Sequence, residues 1–168
     1  LYNKFMKYFL IIFFSLLLTT LNSEDFKELI ITGTDLTKTK TFDLGNNNNF
    51  SSFTANGSWT DNYGNYGFNR CMGIINKNPN NVDLYFMCEM EDKNGYKIWL
   101  ISKRNSETQS SGVGSYEIVN ATIPKKELFI GKKCTYAVKY LRDTNFNKSK
   151  CKISKELSKV FEKMGSGD

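Results

Sequence analysis

Four cysteines at two equal spacings constrain this chain more than any other feature: sixteen residues lie between Cys71 and Cys88, and sixteen between Cys134 and Cys151. Four cysteines admit three pairings. The spacing favours the two local ones, because each interval divides into seven strand residues, a two-residue turn and seven more strand residues. The first midpoint falls on Pro79-Asn80, inside the turn cluster NKNPNN, and the second on Arg142-Asp143. In such a hairpin the pair flanking the turn is hydrogen-bonded and the character alternates outward. A pair seven steps out is therefore non-hydrogen-bonded, with Cα atoms about 4.5 Å apart, at the short end of what a disulfide spans. The predicted bridges are Cys71 to Cys88 and Cys134 to Cys151. Closing loops of this size stabilises a fold by on the order of 3 kcal/mol each in the chain-entropy account.

Disulfides persist in oxidising compartments, and the N-terminus reads accordingly. Lys4 and Lys7 precede an apolar run from Tyr8 to Leu18, and small polar residues follow up to Ser23. This is the three-part pattern of a secretory signal peptide over residues 1–23. The run is shorter than the roughly 20 residues of a membrane-spanning helix, and no cysteine follows it to carry a lipid anchor. The expected location is periplasmic or extracellular, with membrane contact only through the leader before cleavage. Residues 24–168 are enough for a single domain with a true core.

Removal of the leader takes two lysines from a formal net charge of +6, leaving +4. Lysines and acidic residues alternate without blocks of like charge, the pattern of a solvated surface, so no nucleic-acid partner is expected. The chain contains no histidine. That removes the usual general base near neutral pH and the commonest metal ligand. With no C-x-x-C spacing either, neither a metal nor another cofactor is expected.

The patterning from residue 26 onward alternates with period two. Val82, Leu84, Phe86, Cys88 and Met90 share one strand face; Tyr96, Ile98 and Leu100 begin another strand after the turn signal DKNG. Further strands are predicted over 26–32, 50–60, 67–75, 112–119, 134–141 and 146–153. Eight short strands predict an all-β fold, an antiparallel barrel that is closed or nearly closed, since closure removes the exposed edges. The tail changes period. Leu157, Val160, Phe161 and Met164 recur at helical spacing, with Ser154 as N-cap and Gly165 as stop, predicting a short amphipathic helix over 154–164.

Three segments resemble a known group: GSWTDNYGNYG at Gly57 to Gly67, LYFMCEMEDKNGYKIW at Leu84 to Trp99, and GVGSYEIVNATIPKKELFIGKKCTYAVKYL at Gly112 to Leu141. They are similar to small exported bacterial β-barrel proteins of unknown function, which are themselves similar to the allene oxide cyclase barrel. The resemblance spans roughly Phe50 to Lys152. Where that group carries a GTGK-like tight turn, this chain has Ala121-Thr122-Ile123-Pro124. The resemblance implies a fold and no activity, because one fold hosts many functions.

Two candidate sites emerge. Trp59, Tyr63 and Tyr66, with Asp61, would line a barrel mouth and stack on a sugar or a flat apolar ligand, each ring offering an apolar face and a polar edge. The competing reading makes the stretch an ordinary hairpin, with Asp61 to Asn65 as turn chemistry. Glu89 is the candidate catalytic group. Alternation sets it opposite Cys88, so it faces solvent if Cys88 faces the lumen, and serves as a luminal acid or base in the reverse register. The chain is thus expected to be an exported, disulfide-stapled barrel acting as a non-catalytic ligand-binding or envelope-associated module. The alternatives are an isomerase or cyclase using a luminal carboxylate, and an adhesion module presenting the edge of an incompletely closed sheet.

Overall fold

A computed structural model describes residues 26–107 and 111–166. The predicted leader lies outside the described residues. Eight strands follow in chain order: β1 (Phe26–Gly45), β2 (Asn48–Asp61), β3 (Tyr66–Asn78), β4 (Asn81–Asp92), β5 (Lys97–Ser106), β6 (Ser111–Ala121), β7 (Lys133–Leu141) and β8 (Thr144–Ser154). Each pairs antiparallel with its neighbours in sequence, and β1 pairs with β8, so the sheet closes into a barrel.

The period-two pattern explains which side chains fill the interior. Along β4 the inward residues Val82, Leu84, Cys88 and Met90 are buried, while Asp83 and Tyr85 between them are exposed. Both cysteine pairs face inward. Cys71 bonds Cys88 across β3 and β4 with Cα atoms 4.0 Å apart, and Cys134 bonds Cys151 across β7 and β8 with Cα atoms 4.5 Å apart. The turns are the expected two-residue ones: Asn78 pairs with Asn81, and Leu141 with Thr144.

Strand β1 is 20 residues long, well beyond the predicted 26–32. Its outer part pairs with β2 as far as Asn48, but its last partner on β8 is Thr144, opposite Leu36. The extension carries Thr-Lys-Thr-Lys-Thr, in which β-branched threonines favour the strand. Because both of its faces are wet, no apolar alternation marks it.

One end of the barrel is plugged. Helix α1 (Lys155–Ser166) follows β8 directly, with the Ser154 hydroxyl accepting from the Leu157 N–H at 3.2 Å as its N-cap. Leu157, Phe161 and Met164 are buried beneath it. Such side chains contribute about 1.5–3 kcal/mol each when removed from water. Phe161 meets Phe129 edge-on at 5.5 Å. Phe129 comes from the β6–β7 connection, which replaces a tight turn with a short 3-10 segment at Lys126–Leu128 and buries Ile123 as well.

The helix's terminal carbonyls have no partners within the helix. Two turns of the same design meet them. Asp61 Oδ1 accepts from the N–H of Tyr63 and Asn65, and Asp92 Oδ1 accepts from the N–H of Asn94 and Tyr96. The turns so fixed let Asn94 Nδ2 donate to the Met164 carbonyl and Lys93 Nζ to that of Gly165, while Asn65 Nδ2 donates to the Phe161 carbonyl one turn further back. Gly165 lies inside the helix rather than after it. A Cβ there would stand 2.0 Å from the Tyr63 carbonyl oxygen, so the residue is set by close approach to the turn.

Candidate functional site: the barrel lumen

The alternation that closes the barrel also decides where the candidate residues point. Trp59 is 4% exposed and faces the lumen, its indole N–H donating to the Phe68 carbonyl at 3.2 Å. Tyr66 begins β3 on the outer face, 55% exposed, with Lys93 Nζ 5.6 Å from its ring centre. Tyr63 stacks on Phe161 of the helix at 6.2 Å, and Asp61 is occupied by its own turn. Asp61 and Tyr63 thus meet at the plugged end, whereas Trp59 and Tyr66 lie on opposite faces of the sheet. Together the four do not form one concave surface.

Glu89 lies on the outer face, since Cys88 faces inward. It accepts from Lys97 at 3.3 Å and from the Trp99 indole at 3.0 Å, with Arg70 at 3.5 Å. Those partners, Lys97 foremost, hold its carboxyl below the ordinary range.

The lumen itself contains a cavity of about 110 Å³ walled by Phe53, Trp59, Phe86, Leu100 and Tyr136. Phe86 packs edge-on against both Phe53 and Tyr136, at 6.1 and 5.9 Å. Toward the end away from the helix lies a second cavity of about 310 Å³, which shares Phe53, Leu84 and Tyr140 with the first. Room for large side chains comes from glycines on neighbouring strands. A Cβ at Gly114 would meet the Tyr136 ring at 2.6 Å; one at Gly57 would meet the Thr34 carbonyl oxygen at 2.0 Å as well as Asp35 Oδ1 at 2.3 Å, so there the strands themselves approach closely. Small residues beside large ones are how a narrow barrel accommodates its contents.

Two buried charged groups face this interior. Asp35, on β1, is 4% exposed. Its Oδ1 accepts from Asn69 Nδ2 at 2.7 Å and its Oδ2 from Asn147 Nδ2 at 3.0 Å, while Asn147 also donates to Asn145 Oδ1 at 3.0 Å. Burial pushes the Asp35 carboxyl above its ordinary value, against the opposing effect of these amides. Arg104, on β5, is 5% exposed, and its Nε and Nη1 find no acceptor among the described residues. It lines the larger cavity with Tyr140, and Arg142 and Asp143 of the β7–β8 turn also line that cavity. Deeper in, Tyr116 donates to the Ser149 hydroxyl at 3.0 Å, and burial pushes its phenol up to about 12.

Neither Asp35 nor Arg104 stood out in the sequence. Asp35 falls on the inward phase of Leu29 and Ile31, but Gly33 interrupts that run and its apolar neighbour Leu36 lies on the outer face. Arg104 also falls on the inward phase set by Ile98 and Leu100, and continuing that alternation through Ser102 would have found it. Among the described residues, no three His, Cys, Asp or Glu side chains group to hold a metal ion. No described helix is long and apolar enough to cross a membrane.

Compared with family models, curated proteins and solved structures, the chain matches none. The class is therefore set by the molecule itself: an eight-stranded antiparallel barrel, stapled by two internal disulfides of the kind that persist in oxidising compartments.

Proposed function

We propose that this chain is an exported binding module that takes a small, mainly apolar molecule into its lumen through the end opposite the helix. The supporting observation is the pair of adjoining cavities, aromatic within and closed behind by α1. A pocket of a few hundred Å³ with apolar walls and few polar groups suits a small organic ligand. The inner part alone is near the size of engineered cavities that admit benzene. The polar groups of the inner cavity, Asp35 and its asparagines, are bonded to one another and the rings pack edge to edge, which favours an apolar guest over a sugar.

The chain has two tryptophans, Trp59 inside and Trp99 outside. In a Trp99→Phe variant all indole emission reports the lumen. Titration with phenethyl alcohol and hexanol is expected to shift Trp59 emission saturably. An unchanged spectrum up to the solubility limit, with no calorimetric heat, would refute luminal binding.

A second reading is supported by Asp35. An isomerase or cyclase needs a luminal carboxyl able to pass a proton, and a buried carboxyl with a raised pKa is suited to that role. Under this reading Asp35→Asn abolishes turnover of a bound substrate while leaving its affinity within a few fold. An adhesion role would have to use the outer part of β1, residues 38–43, which pairs with β2 alone.

A further inference from the structure

We infer that Arg104 is the anchor for an anionic head group, and that the ligand class is a small monocarboxylate with a short apolar or aromatic tail. This inference rests on the luminal-binding reading and adds the chemistry of the guest.

A guanidinium remains protonated at any ordinary pH, so Arg104 carries its charge into the interior. Burying a charge without a partner is costly, and the usual solutions are an ion pair or a full set of hydrogen bonds. Arg104 has neither at Nε and Nη1. No salt bridge to it occurs among the described residues, although Asp143 lines the same cavity. Its position is nevertheless built in. Gly112 on the adjoining strand provides the space: a Cβ there would lie 2.8 Å from Nη1 and 3.1 Å from Cζ. An arginine held this way lines a cavity of about 310 Å³ with its charge uncompensated by any carboxylate among the described residues, and a guest anion in that cavity would supply the missing partner.

Charge and size narrow the guest. One buried cation matches one negative charge, and carboxylates are standard partners of guanidinium groups. Asp35 lines the inner cavity, so an anion is repelled from the depth of the barrel and held toward Arg104. The apolar part then points inward, against Phe53, Phe86 and Trp59. A dianionic phosphate would need a second buried cation, and the other cation lining this cavity, Arg142, is exposed on the β7–β8 turn and accompanied there by Asp143.

The test compares probes of one skeleton with and without charge: phenylacetate against phenethyl alcohol, and hexanoate against hexanol, by calorimetry and Trp59 emission. The wild type is expected to bind each carboxylate at least tenfold more tightly than its alcohol. Arg104→Met keeps much of the volume and removes the charge, and it should bring that ratio to about one while alcohol binding persists. Arg104→Lys should retain part of the preference. Replacing an unpaired buried charge by an apolar side chain does not threaten the fold, and thermal unfolding of the variants checks this. Equal binding of acid and alcohol by the wild type, or a preference that survives in Arg104→Met, overturns the anchor and leaves luminal binding standing. No binding of any of the four probes overturns both.

Discussion

Gly112 has no Cβ where the Arg104 guanidinium lies, and a methyl group there would come within 2.8 Å of Nη1. The contact is with the far end of a flexible side chain, so Gly112→Ala is relieved by moving the arginine rather than the strand. Alanine in a strand also recovers roughly 0.5–1 kcal/mol relative to glycine. The expected outcome is a melting temperature close to wild type with the carboxylate preference reduced by about tenfold, the scale of a lost hydrogen bond to a charged group. Probe binding by calorimetry, paired with thermal unfolding, checks both halves.

Gly165 and Tyr63 make the opposite case. The Cβ of alanine at 165 would lie 2.0 Å from the Tyr63 carbonyl oxygen, and both partners are backbone. Gly165→Ala must displace either the helix end or the turn that caps it. Overpacking of this kind costs about 1–3 kcal/mol. Denaturant unfolding should show the loss, and amide exchange should show it concentrated in α1 and in the turns at 61–65 and 92–96.

Each disulfide joins residues 17 apart, inside the barrel. Replacing either pair by alanines is expected to cost about 2–5 kcal/mol. Non-reducing peptide mapping of the native protein should give the two local links and no cross-link between the hairpins. Reductant should lower the melting temperature of the wild type toward that of the variants.

Burial raises the Asp35 carboxyl above its ordinary value of 3.8, so the folded state retains this proton to higher pH than the unfolded chain. Between the two values the folded state binds more protons, and stability falls as pH rises through that window and then levels off. Asp61 acts in the same direction, because burial raises it too. Glu89 is held low by Lys97 and acts oppositely, its contribution being lost as pH falls. Asp35→Asn removes only the first of these. Its stability relative to wild type should therefore improve as pH climbs from about 4, a trend read by urea unfolding from pH 3 to 7. A difference that is the same at every pH would show that Asp35 does not titrate out of register with the unfolded chain.

The barrel was legible because it rests on one repeated signal. Inward apolar residues such as Val82, Leu84, Cys88 and Met90 establish a phase, the turns at Pro79-Asn80 and Arg142-Asp143 fix the register, and the cysteines fall where that register brings them together. The site was less legible for the same reason. A period-two pattern is read from apolar residues, and the lumen's distinctive members are polar ones on the inward phase: Asp35, Asn69, Ser102, Arg104 and Asn147. Aromatic residues misdirect in the other direction. Tyr63 and Tyr66 are close in sequence to Trp59, but a turn and a change of strand separate them, and only Trp59 points inward.

That separation yields the sharpest contrast among single substitutions. Trp59 is buried against the lumen, so Trp59→Ala should destabilise the protein by about 3–5 kcal/mol, as truncation of buried aromatics does. Tyr66 is exposed, and its ring meets Lys93 in an exposed cation–π contact of about 0.5–1 kcal/mol. Tyr66→Ala should cost no more than that and leave probe binding unchanged. Tyr63→Ala should fall between them, because it removes the ring stacked on Phe161 and loosens the helix plug. Thermal unfolding of the three variants gives the order, and titration with phenethyl alcohol gives the binding. A loss of affinity in Tyr66→Ala comparable to that caused by a luminal substitution would place the ligand on the outer face and remove the lumen from the account.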